Sequence, residues 1–148
     1  MVVDRLRLLL ATLWTGAIWT VGYLVAPTLF ATLADRVLAG TVAASMFRSE
    51  AWLGMACAAL MLLVVGLSRQ LASARRRQLI GFTLCILVLT LASHFGLQPH
   101  MAALREAAGP GGVIASASKT EFGIFHGVAS ALYLIKAILA GFLIVKSA

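Results

Sequence analysis

Apolar runs interrupted by short charged or turn-forming stretches recur four times along the chain, and each run is long enough to cross a bilayer. The first uncharged run, Leu8 to Ala34, contains a span over about residues 8–30; the others cover about 51–68, 79–97 and 122–145. A hydrocarbon core about 30 Å thick needs about 20 helical residues, which each run approaches or exceeds. The reading is all-α: one integral membrane four-helix bundle occupying residues 1–148. The first run exceeds the apolar region of a cleaved leader and carries Trp14 and Trp19 with no clear cleavage site, so it is expected to be retained.

The connections differ in character. From Asp35 to Arg48, Leu38, Val42 and Met46 recur at helical spacing beside Asp35, Arg36 and Arg48, which predicts a short amphipathic helix on the membrane surface. Pro27 falls near the outer end of span one, where a kink or helix stop is tolerated best. Residues 69–78 hold Arg69, Arg75, Arg76 and Arg77 and no acid. The 98–121 connection contains Pro99 and the breakers Gly109-Pro110-Gly111-Gly112.

Composition and charge agree with this pattern. Of 148 residues, 61% are hydrophobic and 11% charged, at a mean hydropathy of +1.00, whereas a soluble domain is about 25% charged. The net charge of +7 does not form a nucleic-acid face, because the cations sit at the ends of apolar runs. Arg5, Arg7, Arg69, Arg75, Arg76, Arg77 and Lys146 fall on one side against Asp4. Arg36, Arg48, Arg105 and Lys119 on the other are matched by Asp35, Glu50, Glu106 and Glu121. The acid-poor side is expected to be cytoplasmic, with both termini inside. The excess of arginine over lysine and the abundant alanine suggest a bacterium, hence its cytoplasmic (inner) membrane.

Small residues repeat every four positions, at Thr12, Gly16 and Thr20, at Gly54 and Ala58, and at Gly123, Gly127 and Ala131, and are expected to let helices pack closely. His94 and His126 lie at nearly equal depth near the outer ends of spans three and four. Thr90 with His94, and His126 with Ser130 and Tyr133, predict a polar seam, with His100 over its mouth. Two imidazoles at one depth suit copper, zinc or haem iron, and Met46, Met55 and Met101 are further soft donors. Hydrogen bonding to a neighbouring helix is the structural alternative. Lys136 is the one charge inside a predicted span, with no acid in any span to pair with. It either snorkels to the cytoplasmic headgroups or lines a transport pathway. Cys57 and Cys85 lie inside apolar runs and form no metal or redox motif. No hydrolytic or phosphoryl-transfer constellation occurs, so an enzyme is not expected.

The segments Leu13-Trp14-Thr15-Gly16-Ala17-Ile18-Trp19, Val25-Ala26-Pro27-Thr28-Leu29-Phe30 and Phe125-His126-Gly127-Val128-Ala129-Ser130, with Ala39-Gly40 and Phe47, resemble domain of unknown function 4149. That family comprises bacterial relatives of transmembrane protein 205. More distantly, the chain resembles CopD-like copper-resistance membrane proteins, a resemblance that implies copper or haem handling and nominates His94 and His126, with His100 third. The leading expectation is a non-enzymatic membrane protein binding a metal ion, such as copper, at the outer end of the bundle. The alternatives are a b-type haem protein ligated by His94 and His126, or an accessory subunit whose glycine faces dock a larger membrane complex or a second copy.

Overall fold

The computed structural model describes residues 2–68 and 71–148; Arg69 of the basic loop lies outside them. Four helices are long and apolar enough to cross a membrane: Val2–Thr32, Arg36–Leu67, Ser73–Ala107 and Lys119–Ser147. The first divides into α1 (Val2–Trp19), a π segment (Thr20–Val25) and α2 (Ala26–Thr32). The second is α3 (Arg36–Leu67). The third divides into α4 (Ser73–Leu91), a second π segment (Ala92–Leu97) and α5 (Gln98–Ala107), and the fourth is α6 (Lys119–Ser147).

Neighbouring contacts run α1 to α3, α3 to α4, α4 to α6 and α6 to α1, so the helices form a ring of four in which α3 and α6 stand diagonally opposed. The core between them is Trp14, Ile18, Met61, Leu79, Ile86 and Leu143, each at most 1% exposed. Large residues remain exposed all round the outside, among them Leu63, Val88, Ile124 and Phe142. This inside-out apolarity is what a lipid-facing bundle requires.

The surface helix expected over 35–48 is not a separate element. Asp35 caps α3, its Oδ1 accepting from Val37 N at 2.8 Å and Leu38 N at 3.0 Å. From that cap α3 continues unbroken to Leu67. The charged residues that ended the second span in the sequence therefore lie within one long helix.

Neither proline stops its helix. A helical proline lacks the N–H for the carbonyl four residues back and its ring crowds that carbonyl. Here the preceding turn is widened, with Ala26 N bonded to Val21 O before Pro27 and Gln98 N bonded to Ser93 O before Pro99. The third long helix gives way to the fourth only at residues 108–118, where Gly109 (φ 65°) and Gly112 (φ 73°) adopt the left-handed region.

Bonds from side chains to main-chain carbonyls tie α1 to α6. Thr15 Oγ1 donates to Ala140 O and Trp19 Nε1 to Ala137 O, both at 3.0 Å, and Tyr133 Oη donates to Ile18 O at 2.6 Å. At the end carrying both termini, arginines satisfy the last carbonyls of the descending helices. Arg7 Nη2 donates to Ser147 O (3.2 Å), Arg75 Nε to Lys146 O (3.0 Å) and Arg76 Nη2 to Gly66 O (2.7 Å).

The small-residue stripes divide. Gly54 and Ala58 are buried, and a Cβ on Gly54 would lie 2.8 Å from Trp14 Nε1. Thr12 and Gly16 on α1 with Thr20 at the start of the first π segment, and Gly123, Gly127 and Ala131 on α6, instead face outward. The bulk of Trp14 against Gly54 joins α1 to α3, and the buried face of α1 runs through Arg7, Ala11, Trp14 and Ile18, leaving the Gly16 stripe on the other side.

Candidate functional site

A single-charge reading of the bundle interior does not survive the structure. Lys136 is 5% exposed and Glu50 4% exposed. The Lys136 ammonium donates to both carboxylate oxygens, at 3.1 Å to Oε1 and 2.8 Å to Oε2. The pair joins the diagonal helices α3 and α6 across the bundle. Helical side chains tilt toward their own N-terminus, so Lys136 leans away from the C-terminal end of α6 and reaches Glu50, rather than snorkelling toward the headgroups at the basic end. Glu50 lies midway along α3, on the same face as Ala43, Ala51, Gly54 and Cys57.

Beside the pair is a cavity of about 30 Å³ lined by Phe47, Glu50, Ala51, Thr90, Ser93, His94, Gln98, Tyr133 and Lys136. That is room for about one water molecule. Three of the four long helices supply its polar wall. Glu50 comes from α3, Tyr133 and Lys136 from α6, and Thr90, Ser93, His94 and Gln98 from α4, the second π segment and the start of α5. The Tyr133 ring packs edge-on against Phe47 (5.2 Å between centroids) and lies 4.4 Å from Lys136 Nζ, a cation–π contact. Its hydroxyl is bonded to Ile18 O, which fixes the ring that the ammonium rests on.

His94 is the remaining titratable group at the cavity. Its ring meets Trp52 (5.6 Å) and Phe95 (4.7 Å) edge-on, and its Nδ1 is buried with no hydrogen-bond partner. The cavity that His94 lines is large enough to hold a water, the partner that a buried unpaired ring nitrogen calls for. Thr90 Oγ1 donates to Ile86 O at 2.9 Å, which leaves its lone pairs for the cavity.

The other expected residues are elsewhere. His126 is exposed, its ring stacked on Phe122 (6.0 Å), and Ser130 is exposed with its hydroxyl on His126 O (2.8 Å). His100 is exposed, donates from Nδ1 to Gly96 O at 2.8 Å and stacks on Phe125. Neither His126 nor His100 lines the cavity that His94 lines, so only the Thr90–His94 side of the expected seam is at the site, with Tyr133 opposite. Among the described residues no group of three or more His, Cys, Asp or Glu is placed to hold a metal ion, and a water-sized cavity has no room for a haem. Met46, Met55 and Met101 are absent from its lining. Trp14 and Pro27 serve packing and helix geometry, and Gly16 faces outward.

Glu50 is the functional candidate that sequence reasoning missed. A carboxylate beside Arg48 reads as a loop residue, yet Ala43, Glu50, Gly54 and Cys57 recur at helical spacing, a signal that it shares the buried face.

No curated protein and no solved structure matches the chain. A family model does match, over residues 9–110, which reaches from α1 to the end of α5 and includes Glu50 and the His94 wall but not Tyr133 or Lys136. The chain belongs to the family described as domain of unknown function DUF4149.

Proposed function

We propose that this DUF4149 protein translocates protons, loading and releasing them at the Glu50–Lys136–His94 site in the membrane interior. The observation that carries this reading is the buried ion pair sharing a water-sized cavity with an imidazole whose Nδ1 has no partner. Ionisable groups held in a bilayer are costly and mark ion or proton pathways. A proton passing from Lys136 Nζ to a Glu50 oxygen converts an ammonium–carboxylate pair into a neutral amine–acid pair. His94 can accept a proton through one water and return it. Each step leaves the site's total charge changed by no more than one proton.

The same geometry speaks against the metal reading, because the Lys136 ammonium occupies the carboxylate that a cation would need and His126 is not at the cavity. The basic end, with Arg5, Arg7, Arg75, Arg76, Arg77 and Lys146, belongs on the cytoplasmic side by the positive-inside rule, which gives both termini a cytoplasmic location in a bacterial inner membrane.

The test is proton entry into proteoliposomes holding a pH-sensitive dye, driven by a potassium diffusion potential. Wild-type vesicles are expected to acidify faster than empty ones, and Glu50→Gln and Lys136→Met vesicles to acidify at the empty rate. Wild-type flux equal to that of empty vesicles, or full flux in Glu50→Gln, overturns the proposal.

A further inference from the structure

The chain contains its own comparison. Pro27 and Pro99 are 72 positions apart, and each follows a π segment at the same displacement, Thr20–Val25 and Ala92–Leu97. The buried faces obey the same shift: Arg7, Ala11, Trp14 and Ile18 on one helix match Leu79, Thr83, Ile86 and Thr90 on the other, all at most 2% exposed. Helices α3 and α6 agree in the same way, Ala58, Met61, Val64 and Ser68 matching Ala137, Ala140, Leu143 and Ser147 at a shift of 79. The bundle is thus two equivalent helix pairs, and diagonal helices in the ring of four are related to each other, as parallel repeats about an axis along the membrane normal are.

Equivalence shows which residues the architecture itself demands. On the first helix pair the widened turn and proline are built with Ile18, Val21, Gly22 and Ala26. Their counterparts on the second are Thr90, Ser93, His94 and Gln98, and all four line the cavity. None of the four polar groups is therefore needed to form a π segment or to seat a proline. Lys136 and Glu50 are likewise matched by Cys57 and Ala129, so the acid–base pair, one member from each half, has no counterpart at the equivalent positions. On the other side, Gly22 stands where His94 would be, against the Tyr133 ring, and an added Cβ would collide with that ring.

We propose that Thr90, Ser93, His94 and Gln98 form a water-bearing approach from the outer end of the bundle to the Glu50–Lys136 pair, and that the equivalent face of α1–α2 is dry. From Gln98 to Thr90 is eight residues, about 12 Å along a helix, close to half of a hydrocarbon core about 30 Å thick. Gln98 is half-buried and Thr90 is 1% exposed, so the strip leads from the accessible end inward. Water is the ligand class that fits hydroxyl, imidazole and amide groups around a cavity of about 30 Å³. The proposal concerns the proton-translocating site but stands on aqueous access rather than on proton movement.

Cysteine accessibility tests it, with the first helix pair as internal control. In a Cys57→Ala, Cys85→Ala background reconstituted in nanodiscs, Gln98→Cys, Ser93→Cys and Val21→Cys are exposed to a charged, water-soluble methanethiosulfonate reagent. Elution profile and thermal midpoint select the variants that fold like the background, and His94→Cys substitutes for Ser93→Cys if the latter does not. Ser93→Cys is expected to react at least tenfold faster than Val21→Cys, and Gln98→Cys faster still. Equal rates at Ser93 and Val21, or at His94 and Val21 in the substitute pair, overturn the proposal. Asymmetric reactivity without proton flux would keep the aqueous strip and remove the proton reading; flux without asymmetry would do the reverse.

Discussion

Replacing Lys136 by methionine removes a charge from a pair whose members are 5% and 4% exposed and joined by two hydrogen bonds. Breaking a buried pair by deleting one partner costs about 3–5 kcal/mol, because the remaining charge is left uncompensated. Glu50→Leu leaves the ammonium in the same position and has a similar cost. The double variant Glu50→Leu, Lys136→Met removes both charges and replaces them with apolar groups, a change that is commonly neutral or stabilising by about 1–4 kcal/mol. Two single costs of about 3 kcal/mol each against a double variant near zero make the substitutions strongly non-additive, with a coupling of at least about 6 kcal/mol, above the usual range for residues in contact. Equilibrium unfolding in mixed detergent micelles, with far-ultraviolet circular dichroism as the probe, measures all four corners of the cycle. The double variant should fold well and conduct no protons. A Lys136→Met cost below about 1 kcal/mol with coupling near zero would show that the pair is solvated, as exposed pairs are, and would refute the reasoning.

Other substitutions have effects read from single contacts. Tyr133→Phe loses the hydroxyl bond to Ile18 O and should destabilise by about 1 kcal/mol, with faster amide exchange in the first π segment. Gly54→Ala forces the Trp14 indole aside, since the new Cβ would stand 2.8 Å from Nε1, and should cost about 1–3 kcal/mol in the same unfolding assay. Gly16→Leu and Gly127→Leu meet open space and should leave monomer stability within about 0.5 kcal/mol of wild type. Arg7→Ala frees Ser147 O at the end of α6, and hydrogen exchange over the last turn should rise while the centre of α6 is unchanged.

The four crossings were legible because uncharged runs of the right length admit little else in a bilayer. The hidden part of the fold lay where charge interrupts apolarity. Arg48 and Glu50 ended the second span in the sequence, but both are inside α3, and Glu50 turns inward because its partner is on the diagonal helix, a fact no local window contains. Pro27 read as a kink or a helix stop and Pro99 as a breaker, whereas widening the preceding turn lets each helix continue. At the site, Thr90, His94, Tyr133 and Lys136 were all singled out from polarity within apolar runs, and the cavity gathers them. His126 was placed by depth and by a helix face shared with Ser130 and Tyr133, but only Tyr133 of that face reaches the bundle interior; His126 is turned outward onto Phe122. The Gly16 and Gly127 stripes misled for a related reason. Close approach of α1 to α3 is made by Trp14 over Gly54, a large residue in a small one's space, and the exposed glycines lie on faces the bundle does not use.

The most direct test of the account is solid-state NMR in lipid bilayers on protein carrying ¹⁵N at lysine Nζ and ¹³C at glutamate Cδ. Dipolar dephasing between the two nuclei is expected at a separation set by the 2.8 Å and 3.1 Å contacts, and it should vanish in both Lys136→Met and Glu50→Gln. Absence of that coupling in the wild type, or its persistence in either variant, would contradict a buried Glu50–Lys136 pair at the centre of the site.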